Sequence, residues 1–303
     1  MRIDVKRVFC PTDLSPESRE SLHYAIDLAL AYGAKLFVCH CVEAPASADG
    51  SAVGRIKGVF EDIVGDHVSP GSSPTLDWEG VVVAGEPADV IVREAAEREV
   101  DLIVMRTRRR PYAAALLGST AETVSRTAHC PVLVIPSRLA KWVSLATDEV
   151  HTMRLLIAYD FSEDSKLALA WGLSLAQEYQ AELHLIHVLP PGTGPEAQEY
   201  DWREPSGDRR FQRAASLLQS AVPAEAGLWS VIKQAVKEGK PYREVIAYAE
   251  EREIDLICMG VRGAGFGLRA LFGSNTDRVL RQAPCPVLIA RPRTQDVSAR
   301  EAA

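Results

Sequence analysis

At 303 residues the chain is long enough for two domains of about 150 residues, each with a core of its own. A composition of 47% hydrophobic and 25% charged residues excludes a disordered chain or a coiled coil, and a net charge of −7 argues against a general nucleic-acid binder. No apolar run reaches the roughly 18 residues of a membrane span, and Met1-Arg-Ile-Asp-Val-Lys lacks a signal peptide's apolar core, so a cytoplasmic protein with no membrane or nucleic-acid partner is expected.

In chain order, apolar runs predict strands near residues 7–10, 35–42, 76–84, 101–105 and 131–135, with helices between them. The first helix carries Ser15 as N-cap and Pro16 at its first position, then Leu22, Ala25, Ile26 and Ala29 at helical spacing. The same order then returns, with strands near 155–159, 181–189, 229–236, 255–259 and 286–290 and a helix starting at Ser162. Specific residues return with it. Asp13-Leu-Ser recurs as Asp160-Phe-Ser, His40 as His187, Gly85-Glu-Pro87 as Gly239-Lys-Pro241, and Glu97-Arg-Glu-Val-Asp101 as Glu251-Arg-Glu-Ile-Asp255. Cys130-Pro-Val-Leu133 recurs as Cys285-Pro-Val-Leu288, so the offset grows from 147 (160 − 13) to 155 (285 − 130). A repeat of this length means two tandem domains, and the strand–helix alternation predicts in each an α/β fold, a parallel sheet with helices on both faces. The boundaries expected are 1–137, a linker at 138–152, 153–292, and a polar tail at 293–303. The proline- and glycine-rich connection 190–205 is either a cover over a ligand or a plain surface loop. Six cysteines, none in a Cys-x-x-Cys pair, lie in or beside the apolar runs and read as reduced core residues.

One stretch carries more chemistry than the rest. The apolar run Asp255-Leu-Ile-Cys-Met259 leads into Gly260 and Gly263, and Gly273-Ser274 opens a helical pattern that reaches Leu280. Glycines let main chain approach a ligand closely, and the N–H groups at a helix start favour an anion such as phosphate. An ordinary turn is the plainer alternative. A P-loop is excluded, since the chain's Gly239-Lys240 is followed by Pro241. Gly265-Phe-Gly267-Leu-Arg-Ala270 follows a late strand and lacks the acidic residue of a dinucleotide fold.

The spacing Gly260-x2-Gly263-x9-Gly273-Ser274 resembles the nucleotide-binding signature of the universal stress protein family, and the resemblance extends over nearly the whole chain, twice. It implies flavodoxin-like domains, related to the adenine nucleotide alpha hydrolases, with five parallel strands in the order 3-2-1-4-5. It also implies ATP, with or without Mg2+, as the ligand. Carried over, Ala158, Tyr159 and Asp160 line the adenosine side and the backbone of Val188 meets the adenine edge. Met259, Gly260, Arg262 and Gly263 line the loop, and Gly273, Ser274, Asn275 and Thr276 surround the phosphates. Ala158-Tyr159 departs from the commoner Pro-Thr, which the first half keeps as Pro11-Thr12, and a tyrosine there would narrow the base pocket. Asn275 also departs from the small or β-branched residue often found at its place. Singly, Asp160 and Ser274 read equally well as helix caps.

The first half differs at the decisive place. Its loop reads Arg106-Thr-Arg-Arg-Arg-Pro, with arginine at both leading glycine positions and one residue fewer before Gly118. Arginine disfavours positive φ by roughly 1 kcal/mol or more and would fill space that a phosphate needs. Arg106, Arg108, Arg109 and Arg110 either form a solvated loop or grip an acidic partner. ATP is therefore expected in the second half alone. No nucleophile with its base, metal cluster or carboxylate pair stands out, so no catalytic or metal-ligating residue is assigned; His184 and His187, three apart on a strand, point to opposite faces. The expected function is a nucleotide-dependent stress-response regulator. A nucleotide-independent interaction scaffold and a weak ATPase or self-phosphorylating protein are the alternatives. The resemblance further implies pairing through the last strands, within one chain or in a homodimer, and an unnamed protein partner.

Overall fold

A computed structural model describes residues 2–42, 50–67, 76–107, 118–136, 152–191, 207–263 and 272–292. The expected linker up to residue 151, the 190–205 connection beyond Pro191, Arg108 to Arg110, glycine-loop residues 264–271 and the tail from 293 lie outside the described residues.

The chain divides into two units. The first comprises Asp4–His151 and Arg291–Ala303, the second Thr152–Ala290 and Met1–Ile3. In the first, strands β1 (Arg7–Thr12), β2 (Lys35–Val42), β3 (Trp78–Ala84), β4 (Leu102–Arg106) and β5 (Val132–Ile135) form a parallel sheet in the order β3-β2-β1-β4-β5. Helices α1 (Arg19–Tyr32), α2 (Gly50–His67), α3 (Pro87–Glu97) and α4 (Ser119–Thr127) connect the strands and cover both faces. The second unit repeats this with β6 (Arg154–Ala158), β7 (Glu182–Leu189), β8 (Ile232–Glu238), β9 (Leu256–Gly260) and β10 (Val287–Ala290), in the order β10-β9-β6-β7-β8. Its helices are α5 (Glu163–Tyr179), α6 (Gly207–Ala221), α7 (Pro241–Glu251) and α8 (Ser274–Gln282). The expected order holds in both copies. Helices bury both faces of a parallel sheet, and every residue of β5, β9 and β10 is buried. Among the described residues no helix is long and apolar enough to cross a membrane.

The repeated Glu-Arg-Glu-x-Asp segment has a physical reason. Asp101 accepts from the main-chain N–H groups of Lys6 (2.6 Å) and Arg7 (2.9 Å), while Arg7 donates to the carbonyl of Arg98 and to Glu99. In the second unit Asp255 accepts from the N–H of Arg154 at 2.8 Å, and Arg154 reaches the Arg252 carbonyl and Glu253. The segment thus clamps the amino ends of the two central strands in each sheet.

Local corrections are small and have local causes. Ser15 accepts from the N–H of Ser18, but Pro16–Ser18 forms a 3-10 turn and α1 begins only at Arg19. β8 begins at Ile232 rather than 229, because Ala224–Leu228 is a 3-10 turn and Ser230 donates its hydroxyl to the Ala181 carbonyl (2.6 Å) instead of entering the ladder. All six cysteines are free; five are buried and Cys41 is half-buried. Burial pushes the Cys10 thiol up to about 12.

Replacing Asp101 with alanine leaves two main-chain N–H groups without their acceptor. We expect a loss of roughly 2–3 kcal/mol and a lower melting temperature by thermal unfolding, with Asp101→Asn recovering part of it; an unchanged melting temperature would refute the clamp.

Candidate site at the carboxyl ends of the central strands

In the second unit the strand order reverses between β6 and β9, so their following loops depart to opposite sides and leave a crevice. Several candidate residues meet there. After β6 the chain passes through Tyr159 and Asp160 to Phe161, which takes φ +66°, and then to Ser162, the N-cap of α5. A left-handed non-glycine residue costs roughly 1–2 kcal/mol, and Asp160 holds this one in place. Its Oδ1 accepts from the N–H (3.1 Å) and the hydroxyl (2.5 Å) of Ser162, whose oxygen in turn accepts from the N–H of Ser165. The first unit has the same elbow at Leu14 (φ +60°), with Asp13 and Ser15 in the corresponding roles. Asp160 therefore does cap its own loop. Its second oxygen, Oδ2, is aimed elsewhere.

Two glycines explain where. A Cβ on Gly263 would lie 2.7 Å from Asp160 Oδ2, so residues 103 positions apart are in close approach. A Cβ on Gly260 would lie 2.7 Å from the main-chain carbon of Asp164 and 2.8 Å from its Cβ, so the first turn of α5 can approach the end of β9 only at a glycine. None of Gly260, Gly263 and Gly273 is among the residues with positive φ. What these positions require is space, and the backbone-strain reason expected from the sequence does not apply to them.

The helix side is equally specific. Gly273 is the N-cap of α8 at φ −74°, ψ 140°, and offers no side chain to the first-turn N–H groups. Ser274 is thus the first helical residue and not the cap; it is exposed and Asn275 half-buried. Thr276 is buried and donates its hydroxyl to the Gly260 carbonyl at 2.9 Å, tying α8 to the end of β9. Met259 is buried within β9, and Val188 lies on β7 opposite Lys237. Arg262 donates from its main-chain N–H (3.1 Å) and its Nε (3.0 Å) to one oxygen of the buried Asp164. Its charge is therefore matched. Asp164 was not singled out from sequence; its position in the first turn of a capped helix was the available signal.

On the far side of β6, the buried Tyr159 ring meets Phe161 edge-on at 5.1 Å, and the Phe161 ring lies 4.7 Å from that of His187. His187 Nδ1 donates to the Tyr159 carbonyl at 2.8 Å, which fixes the neutral tautomer and leaves a buried Nε2 lone pair with no partner among the described residues. Burial holds His187 below its ordinary 6.5, against a smaller opposing effect of that hydrogen bond. His184 serves another neighbourhood, meeting the Tyr248 hydroxyl on α7 at 2.9 Å.

In the first unit Arg106 ends β4 at the place of Gly260 and lies 3.4 Å from Glu20 on α1, with both side chains largely buried. A charged side chain paired with α1 thus stands where the second unit has a glycine packed against the first turn of α5.

The universal stress protein family model matches residues 4–136 and again 151–291. A universal stress protein of Thermus aquaticus, named for the 3′ region of a sulfhydrylase gene, is 32% identical over 142 residues, which are 45% of this chain and 97% of the relative. One from Methanocaldococcus jannaschii is 33% identical over 141 residues, 46% of this chain and 81% of the relative. A solved universal stress protein from Archaeoglobus fulgidus, 20% identical, superposes with a TM-score of 0.66 and covers 95% of this chain and 99% of its own. That likeness is one of fold.

Gly260→Ala should lower the melting temperature by an amount corresponding to about 1–3 kcal/mol, since the facing atoms are main chain and cannot turn away; equal stability would show that α5 does not press on β9. His187 also makes a pH prediction. With its folded value below 6.5, the unfolded chain binds the extra proton, so stability is full above about pH 6.5 and falls as the pH drops toward the folded value. His187→Asn, which keeps a donor but cannot titrate, should lessen the fall in melting temperature between about pH 7.5 and 5.5.

Proposed function

The chain belongs to the universal stress protein family, and from that premise we propose that its second unit holds ATP, with or without Mg2+, as a nucleotide-dependent regulator of a cytoplasmic stress response. The observation that carries this is the close approach of Gly263 to Asp160 beside an α8 start capped only by glycine. A carboxylate oxygen after β6 and a row of N–H groups without a side-chain cap after the neighbouring β9 would suit a ligand with hydroxyls at one end and anionic oxygens at the other.

The residues fit such a ligand. Ala158, Tyr159 and Asp160 would hold the adenosine side, with Asp160 Oδ2 accepting from a ribose hydroxyl and the Val188 backbone at the base edge. Gly260, Arg262 and Gly263 would form the loop wall, and the N–H groups of Ser274, Asn275 and Thr276 would take phosphate oxygens. Met259 and the Thr276 hydroxyl support the wall from behind, where the hydroxyl is bonded to Gly260. Arg262, held by Asp164, fixes the direction in which the loop leaves β9. Among the described residues no group of three histidine, cysteine or acidic side chains could hold a metal ion, so Mg2+ would enter on the nucleotide's own phosphates. In the first unit Arg106 and Glu20 occupy the equivalent approach, and that unit is left without ATP.

Calorimetric titration should give one ATP equivalent per chain, and Gly263→Arg should abolish it. Two equivalents, or undiminished binding by the variant, would overturn the assignment to the second unit.

A further inference from the structure

Beside the start of α8 lies a cluster that this assignment has not used. Tyr242, in the first turn of α7, is covered on its ring face by Arg278 of α8, whose guanidinium carbon is 4.7 Å from the ring centroid. Its hydroxyl accepts from Arg243 Nε at 3.0 Å, and Lys240, the N-cap of α7, stands one residue before Pro241. Hydrogen bonding from Arg243, with Arg278 and Lys240 nearby, holds the phenol below its ordinary value, which marks the positive field at this spot. Lys240, Arg243 and Arg278 are all exposed, and none has a carboxylate partner among the described residues. In a chain of net charge −7, three converging unmatched cations need a reason.

The first unit supplies the control. α3 and α7 both begin at proline, and α4 and α8 both begin at serine, so the positions correspond one to one. Lys240 answers to Glu86, Tyr242 to Ala88, Arg243 to Asp89 and Arg278 to Thr123. Three cations and an aromatic ring replace two carboxylates, a methyl and a hydroxyl, and they do so only in the unit with the complete glycine spacing. Arg278 also shares its helix face with Ser274, four residues earlier, and helical side chains lean toward the amino end of their helix.

We propose that Lys240, Arg243 and Arg278 form a second anion seat, continuous with the first turn of α8, that takes the distal phosphates of a nucleoside polyphosphate. The inference rests on the nucleotide reading of the second unit and deepens it: the seat selects triphosphate over monophosphate, while Asp160 and the glycine loop hold the shared nucleoside end. Tyr242 contacts both guanidinium groups, Arg278 on its ring face and Arg243 at its hydroxyl.

The full-length chain is titrated with ATP and with AMP, as wild type and as Arg243→Asp with Arg278→Thr, which installs the first unit's residues at two of the positions. The wild type should prefer ATP by about tenfold or more, and the double variant should lose that preference through weaker ATP binding while AMP binding stays within about twofold. Inorganic tripolyphosphate should compete with ATP on the wild type and less on the variant. Arg243→Lys with Arg278→Lys, which keeps the charge, should retain most of the preference, and Arg243→Ala with Arg278→Ala should lose it without introducing a new carboxylate. An unchanged ATP-to-AMP ratio in the alanine variant, or equal loss of both ligands, overturns the seat and leaves the nucleotide reading standing. A wild type that binds neither ligand overturns both.

Discussion

The contact between Gly260 and Asp164 is the constraint on which the second unit's crevice depends. With no Cβ at the end of β9, the first turn of α5 comes within 2.7 Å of where that Cβ would lie, and Asp164 is thereby placed to accept from the main-chain N–H and the Nε of Arg262. That pair directs the loop past Gly263 and over Asp160. The Thr276 hydroxyl then returns to the carbonyl of Gly260, so strand, loop and helix are joined at one residue. Arginine in the equivalent place forces a different solution, an ion pair with Glu20 across the same approach.

Much of this was legible in the sequence because it is written in period and spacing. The parallel α/β sheets followed from the doubled alternation of apolar runs, the strand order from the family resemblance, and the glycine spacing named both the loop and the start of α8. Room at these glycines was expected for a ligand, but that it also admits the first turn of α5 and Asp160 was not legible, because this depends on which residues lie opposite, and no local pattern reports that. Asp164 and the Tyr242 cluster escaped for the same reason, since each gains its partner from an element far along the chain. Phe161 is the converse case. Its left-handed conformation is set by the short Asp-x-Ser bridge, yet a phenylalanine carries no propensity that announces it.

The two copies have diverged unevenly. At the amino ends of the strands Asp101 and Asp255 make the same clamp, and at the elbow Asp13 and Asp160 make the same bridge. Differences gather on the loops and helix starts at the carboxyl ends, where Arg106 stands for Gly260 and Glu86 and Asp89 stand for Lys240 and Arg243. This is the division expected when one end of a sheet determines whether the domain folds and the other what it can bind.

The thiols add a last consequence. Cys10, Cys39, Cys130, Cys258 and Cys285 are sealed in the cores, and burial keeps the protons on Cys10, Cys258 and Cys285. Peroxides attack thiolates and need access to them, so these side chains are poor targets for oxidation. With the half-buried Cys41 on β2 set apart, the sheet interiors can thus pass through an oxidising episode chemically intact.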